Sequence, residues 1–239
     1  LNVKITEPDV SPLQIQGPKA KEVVRTLFGD AVTQLRYYWF METVLDGIPV
    51  VVTRTGWTGE VGYEVYLRDG SRGDELWERI MDAGKPHHIR PTGPSDIRRV
   101  EAGILNWGAD MTLENNVYEV GLERLVDGDK QSSWIGRDAL LRIRNEGVRR
   151  KLAGIEIEGG CIGFNASKWP VAAAGKTIGR VTSGIWSPRL KRNIGYAMLP
   201  APQAALQTRL IVNIPGIGER KATVVPMPFI DPKKDTPKS

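Results

Sequence analysis

One short segment, residues 54–66, combines the residue types needed to bind a flat heterocycle. Gly56, Gly59 and Gly62 interrupt the chain between two strand-like runs and would let the backbone approach another group closely. Trp57 offers a flat apolar face, and Glu64 offers a carboxylate. A carboxylate can accept two parallel N–H bonds from a guanidine-like ring edge, as it does from arginine. The composition alone is equally compatible with a twisted hairpin and an exposed glutamate.

The elements that must position these residues are predicted from periodicity and turn residues. Runs rich in β-branched and aromatic residues predict strands on both sides of the glycines, and Asp46-Gly47 predicts a tight hairpin turn before them. Apolar residues at helical spacing predict helices. The predicted strands of this first part are residues 13–16, 39–45, 50–53 and 63–67, and the predicted helices are residues 19–27, 74–83, 96–105 and 138–144.

The residue pattern of the sequence changes near residue 147. From there to residue 229, short β-rich runs alternate with Gly and Pro turns, and no long helical pattern occurs. Such spacing is typical of a small barrel or sandwich. The predicted strands are residues 151–157, 177–183, 193–198, 209–214 and 219–225. The fold class is therefore α+β, with a first domain at 1–147, a β-barrel domain at 148–230 and a disordered tail at 231–239.

Composition excludes several classes of protein. The 239 residues contain 41% hydrophobic and 26% charged residues, which is ordinary for a globular protein. No apolar run is long enough to cross a membrane. Cys161 is the single cysteine and only two histidines occur, so neither an internal disulfide nor a zinc-type cluster is expected, and a reducing cytoplasm fits. The basic residues behind the net charge of +5 are mostly scattered, which favours a solvated helix end over a nucleic-acid patch, and attraction to an anionic small-molecule substrate is a third option.

Six blocks, in order along the chain, resemble the folate-dependent aminomethyltransferase family, which includes the glycine-cleavage T-protein. The first block is RTGWTGEVGYE at residues 54–64. The others are RRVEAGIL at 98–105, YEVGL at 118–122, WIGRDAL at 134–140, RKLAGI at 150–155, and GRVTSG with the following SP and NIGYA at 179–197. The resemblance implies that the first domain is the remainder of a folate-binding aminomethyltransferase domain, and that the cofactor is tetrahydrofolate.

The resemblance also implies cofactor contacts. Glu64 aligns with the glutamate that holds the pterin ring in this family, and Tyr63 stands beside it. Arg99 aligns with an arginine expected to pair with a carboxylate of folate or substrate, because Glu101 at i+2 does not face it. Trp186 completes the predicted cofactor contacts, although such aromatic residues more often lie in a core.

The substrate side of the site is predicted at three further positions. Trp57 stands where the family usually has tyrosine, and an indole is the best cation–π partner for a sulfonium or quaternary ammonium group, with simple packing equally compatible. Tyr118 and Glu119 belong to a motif expected near the cleft and are predicted to contact the substrate. For Glu119, a helix-capping or structural role is at least as compatible with the sequence as catalysis.

Details favour one branch of the family. Residues 12–19, 27–30 and 37–40 resemble the dimethylsulfoniopropionate demethylases, which implies methyl transfer from a sulfonium donor to tetrahydrofolate. The alternative is the aminomethyltransferase of glycine cleavage, which would need a lipoyl carrier protein as partner. A second alternative is a non-catalytic folate-binding protein. A homo-oligomer stays open.

The catalytic residue is unknown. In the family, a portion of the chain before the strand at 13–16 supplies the aspartate credited with catalysis, and that position would lie upstream of Leu1. The resemblance therefore implies that this chain alone is incomplete as an enzyme unless a partner subunit replaces the missing part.

Overall fold

The computed structural model describes residues 2–7 and 10–239. The chain divides into two compact units. The first unit is Leu1–Ser95 together with Lys233–Ser239, and the second is Asp96–Pro232.

The first unit is built on a four-stranded antiparallel sheet in the order β1-β4-β3-β2. Its strands are β1 at Ser11–Gln16, β2 at Phe40–Leu45, β3 at Ile48–Thr53 and β4 at Gly62–Leu67. The predicted hairpin is confirmed: Leu45 pairs with Ile48, and Asp46 and Gly47 between them both have positive φ, as a type I′ turn requires.

Helices cover one face of this sheet. They are α1 at Ala20–Phe28, the single-turn α2 at Asp30–Thr33, and α3 at Gly73–Gly84. Val24 of α1 and Leu76 of α3 are completely buried, as are Val52 and Val65 of the sheet. The apolar stripes that predicted α1 and α3 therefore form the core of this unit together with alternate residues of the strands.

The second unit contains a closed antiparallel barrel, which confirms the predicted β-barrel. The strand order is β10-β5-β8-β7-β6-β9. The strands are β5 at Arg150–Ile157, β6 at Trp169–Ala173, β7 at Lys176–Ser187, β8 at Arg192–Pro200, β9 at Arg209–Ile214 and β10 at Gly218–Val225. Alternate inward side chains such as Ile155, Val181 and Val212 are completely buried.

Two helices precede the barrel, α4 at Asp96–Glu101 and α5 at Arg137–Glu146. The prediction that α4 continues to residue 105 is wrong. Gly103 adopts φ of 66°, and the amide of Ile104 donates to the carbonyl of Arg99 at 2.8 Å, so the chain leaves the helix there.

The predicted domain boundary near residue 147 and the predicted disordered tail stay predictions. In the structure, the two compact units divide between residues 95 and 96 and again between residues 232 and 233. Thr236–Lys238, within the last residues of the chain, form a short 3-10 helix.

Candidate functional site

Glu64 lies in the middle of β4, where sequence analysis placed it. It is opposite Gln14 of β1 and Thr53 of β3 in the antiparallel register. Its neighbours Tyr63 and Val65 are completely buried, while Glu64 is half-buried. Because side chains alternate along a strand, Glu64 is directed to the face opposite the hydrophobic core.

The Glu64 carboxylate is held through one of its two oxygens. Oε2 accepts a hydrogen bond from the Thr55 hydroxyl and a second from the Tyr66 hydroxyl at 3.3 Å. Thr53 Oγ1 lies 2.5 Å from Thr55 Oγ1. A hydroxyl has a single proton, and Thr55 gives its proton to Glu64, so Thr53 is the donor in that pair. Within residues 2–7 and 10–239, Oε1 of Glu64 accepts no hydrogen bond and keeps its full acceptor capacity.

Tyr66 is a member of this cluster that sequence analysis missed. It lies two residues after Glu64 on the same strand and hence on the same face, so the two-residue period was the available signal. Burial raises the pKa of the Tyr66 hydroxyl, and the negative charge of Glu64 raises it further. The phenol therefore stays protonated at neutral pH and donates to the carboxylate.

Tyr63 lies on the other face of β4, in the core of the first unit. Its side chain is completely buried, and the guanidinium carbon of Arg54 lies 4.9 Å from its ring centre. Burial raises the pKa of its hydroxyl, which has no hydrogen-bond partner among the described residues. The contacts of Tyr63 are those of a packing residue, and its predicted cofactor contact stays a prediction.

Trp57 lies half-buried in the connection between β3 and β4, two residues after Thr55. This connection also contains Gly59, whose φ of 73° is a left-handed conformation that favours glycine. The loop therefore carries an indole close in sequence to the hydroxyl that holds Glu64. A contact between Trp57 and a cationic substrate stays a prediction.

Arg99 of α4 is completely buried in the second unit. Its Nε donates to Asp96 at 2.7 Å, Nη1 to Asp110 at 2.9 Å and Nη2 to the Ser183 hydroxyl at 2.9 Å. The expectation that Arg99 pairs elsewhere than with Glu101 is confirmed. All three guanidinium nitrogens donate to protein groups, so Arg99 joins α4 to β7. The predicted contact between Arg99 and a ligand stays a prediction.

Asp110 is the centre of this buried network, and sequence analysis missed it. Its side chain is fully inaccessible. Besides the bond from Arg99, its carboxylate accepts hydrogen bonds from the backbone N–H of Asn106 at 2.9 Å, from the Thr182 hydroxyl at 2.7 Å and from the Ser183 hydroxyl at 2.6 Å. No pattern in the sequence distinguishes this aspartate, because its partners lie on separate elements.

Glu119 is a buried tether. Its carboxylate accepts from Asn115 Nδ2 and from Arg150 Nε, both at 3.0 Å, and its carbonyl accepts from the Leu152 amide at 2.7 Å. These bonds tie the turn that contains Glu119 to β5. They agree with the structural role that the sequence left open, and a substrate contact stays a prediction. The neighbouring Tyr118 is half-buried, with its backbone amide donating to Asn116 Oδ1 at 3.0 Å.

Trp186 lies on β7 opposite Asn193 of β8. Its neighbours Ile185 and Ser187 are buried and Trp186 itself is half-buried. The Trp186 side chain is not among those that form the barrel core. Its backbone amide donates to the carbonyl of Ile162 at 3.3 Å. The predicted cofactor contact of Trp186 stays a prediction.

The predicted residues thus occur in two groups. Trp57, Tyr63 and Glu64 belong to the first unit. The members of the second unit are Arg99, Tyr118, Glu119 and Trp186. The best-defined candidate site is the cluster formed by Thr53, Thr55, Glu64 and Tyr66, hereafter the Glu64 cluster.

Two further properties concern the described residues only. Residues 2–7 and 10–239 contain no group of three His, Cys, Asp or Glu side chains arranged to hold a metal ion. The same residues form no helix that is long and apolar enough to cross a membrane.

Comparison with known proteins identifies the family. Residues 1–130 match the GCVT N-terminal domain, and residues 150–231 match the glycine cleavage T-protein C-terminal barrel domain. The chain is 36% identical to "Dimethylsulfoniopropionate demethylase DmdA" of Ruegeria pomeroyi over 223 residues, covering 93% of this chain and 60% of that relative. It is also 36% identical to an aminomethyltransferase of Thermoanaerobacter pseudethanolicus, over 86% of this chain and 56% of that relative.

A solved structure has the same fold. The glycine cleavage system aminomethyltransferase T from Bartonella henselae superposes with a TM-score of 0.80 at 22% sequence identity, covering 94% of this chain and 60% of that one. The chain thus spans about 60% of the length of the first curated relative and of this structure. With both domain models matched in order along it, the chain belongs to the glycine cleavage T-protein family.

Proposed function

We propose that this chain serves a tetrahydrofolate-dependent methyl transferase that takes its methyl group from a sulfonium donor such as dimethylsulfoniopropionate. The observation that carries the proposal is the Glu64 carboxylate, which is half-buried and held through Oε2 alone. The pterin ring of folate presents a guanidine-like edge of N–H donors. A fixed carboxylate with one oxygen still able to accept suits such an edge.

The chain's own residues would orient the ring rather than react with it. Thr55 and Tyr66 fix the rotation of the Glu64 carboxylate, because both donate to the same oxygen. Bound tetrahydrofolate supplies the nitrogen that accepts the one-carbon group. A sulfonium donor is already activated, so the protein's main task is to hold donor and acceptor in register.

The folate part of the proposal is tested by Glu64→Gln. The amide keeps the shape but removes the charge, and the loss of a charge-assisted hydrogen bond costs about 1.5–3 kcal/mol, or roughly 10- to 150-fold in affinity. Calorimetric titration with tetrahydrofolate measures this. Glu42→Gln is the matched control, because Glu42 is an exposed carboxylate on β2 of the same sheet. Equal affinity of the Glu64 variant and the wild type would remove Glu64 from the folate site.

The donor part of the proposal rests on Trp57. An indole facing a sulfonium contributes about 0.5–2 kcal/mol. Trp57→Leu should therefore lower the affinity for the sulfonium donor by roughly 2- to 30-fold and leave folate affinity unchanged. Trp107→Leu is the control, because Trp107 is 60% exposed and lies in the other unit. A Trp57 variant with unaltered donor affinity would refute the cation contact.

The second candidate is the aminomethyltransferase of glycine cleavage, with a lipoyl carrier protein as partner. Relatives named aminomethyltransferase match at the same 36% identity as the demethylase, and the matched fold carries that name as well. The two candidates separate in one assay panel, which offers tetrahydrofolate with either a sulfonium donor or the aminomethyl-loaded lipoyl carrier. Turnover with the carrier and none with the sulfonium would favour the second candidate.

A further inference from the structure

Gln16 binds the connection that leads into the Glu64 cluster. It is the last residue of β1 and lies opposite Gly62 of β4. Its Nε2 donates to the carbonyl of Thr55 at 3.2 Å and to that of Tyr63 at 3.4 Å. Its Oε1 accepts from the Thr58 hydroxyl at 2.7 Å. One primary amide therefore joins β1 to both ends of the β3–β4 connection, at Thr55 and at Tyr63.

Two glycines make room for this amide. A Cβ atom built on Gly56 would lie 2.1 Å from Gln16 Oε1, and one built on Gly62 would lie 2.3 Å from both Oε1 and Nε2. Neither glycine has a left-handed backbone conformation. Their role is therefore to leave space, and the group that fills the space is the Gln16 amide.

The loop held in this way carries two residues of the candidate site. Thr55 donates through its hydroxyl to Glu64, and Gln16 fixes the carbonyl of the same residue. Trp57 lies between Thr55 and Thr58, the two residues on either side of it that Gln16 contacts. A displacement of the amide would release both sides of Trp57 and loosen the donor that orients Glu64.

We propose that Gln16 is a positioning residue that holds the Thr55–Thr58 loop against β1 and so sets the geometry of the folate site. The folate part of this inference rests on the function proposed above. Glutamine suits the position because it offers donors and an acceptor on one planar group, whereas a carboxylate only accepts. The space left by Gly56 and Gly62 makes the arrangement specific, since it closes to the amide once either glycine gains a side chain.

A double-mutant cycle tests the contact without any ligand. In Gly56→Ala the new methyl group should displace the hydrogen-bonded amide at a cost of about 1 kcal/mol, which lowers the midpoint of thermal unfolding by roughly 4–8 °C in a unit of about 100 residues. In the Gln16→Ala background the same substitution should lower it by less than about 2 °C, since the amide is gone. Equal effects in both backgrounds would overturn the proposed coupling.

Folate titration then separates positioning from stability. Gln16→Ala should lower the affinity for tetrahydrofolate roughly tenfold, or by about 1.4 kcal/mol, at a temperature where every variant is folded. Val24→Ala is the matched control, because Val24 is fully buried in α1 and contributes to the core of the same unit. Val24→Ala should lower the unfolding midpoint and leave folate affinity within about twofold of the wild-type value, a smaller change than the one expected for Gln16→Ala.

The outcomes distinguish the two proposals. Equal loss of folate affinity in the Gln16 and Val24 variants would reduce Gln16 to a contributor to stability and overturn its positioning role. A wild-type chain that binds no folate would overturn the proposed function and the folate part of this inference. The unfolding cycle would still decide whether Gln16 holds the loop, because it involves no ligand.

Discussion

Asp110→Asn tests whether the buried network around Arg99 of α4 stabilises the fold. The Asp110 and Arg99 side chains are both completely inaccessible, and their charged atoms lie 2.9 Å apart. The asparagine amide keeps one acceptor oxygen and replaces the other with an NH₂ group. Asp110 receives two donors on each oxygen. An amide NH₂ placed at Oδ2 faces Arg99 and a backbone N–H, which can only donate, whereas an NH₂ placed at Oδ1 faces two hydroxyls that can also accept. The second orientation is therefore the less costly, and its main loss is the negative charge beside Arg99.

The size of the effect follows from burial. Removing one member of a buried ion pair costs about 3–5 kcal/mol, since the remaining charge stays desolvated. The lost hydrogen bonds to the carboxylate are part of this figure and are not added to it. A domain has a free energy of unfolding of about 5–15 kcal/mol, so Asp110→Asn should remove a large share of it.

Asp96→Asn provides a matched control within the same network. Asp96 also pairs with Arg99, at 2.7 Å, but 38% of its side chain is exposed. Water can take the place of the partly exposed Asp96 carboxylate, so this variant should lose less free energy of unfolding than Asp110→Asn, although Arg99 itself is buried. Urea unfolding followed by circular dichroism gives both free energies. Comparable losses from the two variants, or a loss below about 1 kcal/mol for Asp110→Asn, would refute the inference from burial.

Two further results are expected. Burial raises the pKa of the Tyr196 hydroxyl. The folded protein therefore keeps this proton at a pH where the tyrosine of the unfolded chain ionises. Above about pH 10 the free energy of unfolding should fall by about 1.4 kcal/mol per pH unit because of this group. Tyr196→Phe should show a slope shallower by that amount in alkaline unfolding, and an unchanged slope would contradict the assignment. Limited proteolysis should cut near residues 146–148 or after Asp231 and spare residues 181–198, which comprise parts of β7 and β8 and the turn between them. Early cleavage within 181–198 would contradict the barrel.

Local pattern predicted the secondary structure where each element carries its own signal. The strand predicted at residues 209–214 coincides with β9, because its side chains alternate between buried and exposed positions. β6 was missed because Pro170 and two alanines obscure the strand pattern. Pro170 is exposed, and a register shift follows Val171, so the strand tolerates a residue that lacks an amide donor.

The candidate site was predictable only to the extent that it is local. The position of Glu64 on a strand follows from the β-rich residues around it, and Tyr66 shares its face by simple alternation. The partners of Arg99 are not local. Asp110 and Ser183 are 11 and 84 residues away, so only the fold brings them together. A motif match placed Arg99 in the family pattern without showing that its guanidinium is occupied by the protein itself.

The glycines of the loop show why a motif does not by itself reveal the role of each residue. Sequence reasoning gave Gly56, Gly59 and Gly62 one purpose, a close approach of the backbone to another group. In the structure, Gly59 has the left-handed conformation that glycine adopts at least cost, whereas the other two leave space for Gln16. The glycines therefore shape the loop from inside the protein. Recognition of a ligand then falls to the groups the loop holds in place, among them the Glu64 carboxylate, whose Oε1 accepts no hydrogen bond from residues 2–7 and 10–239.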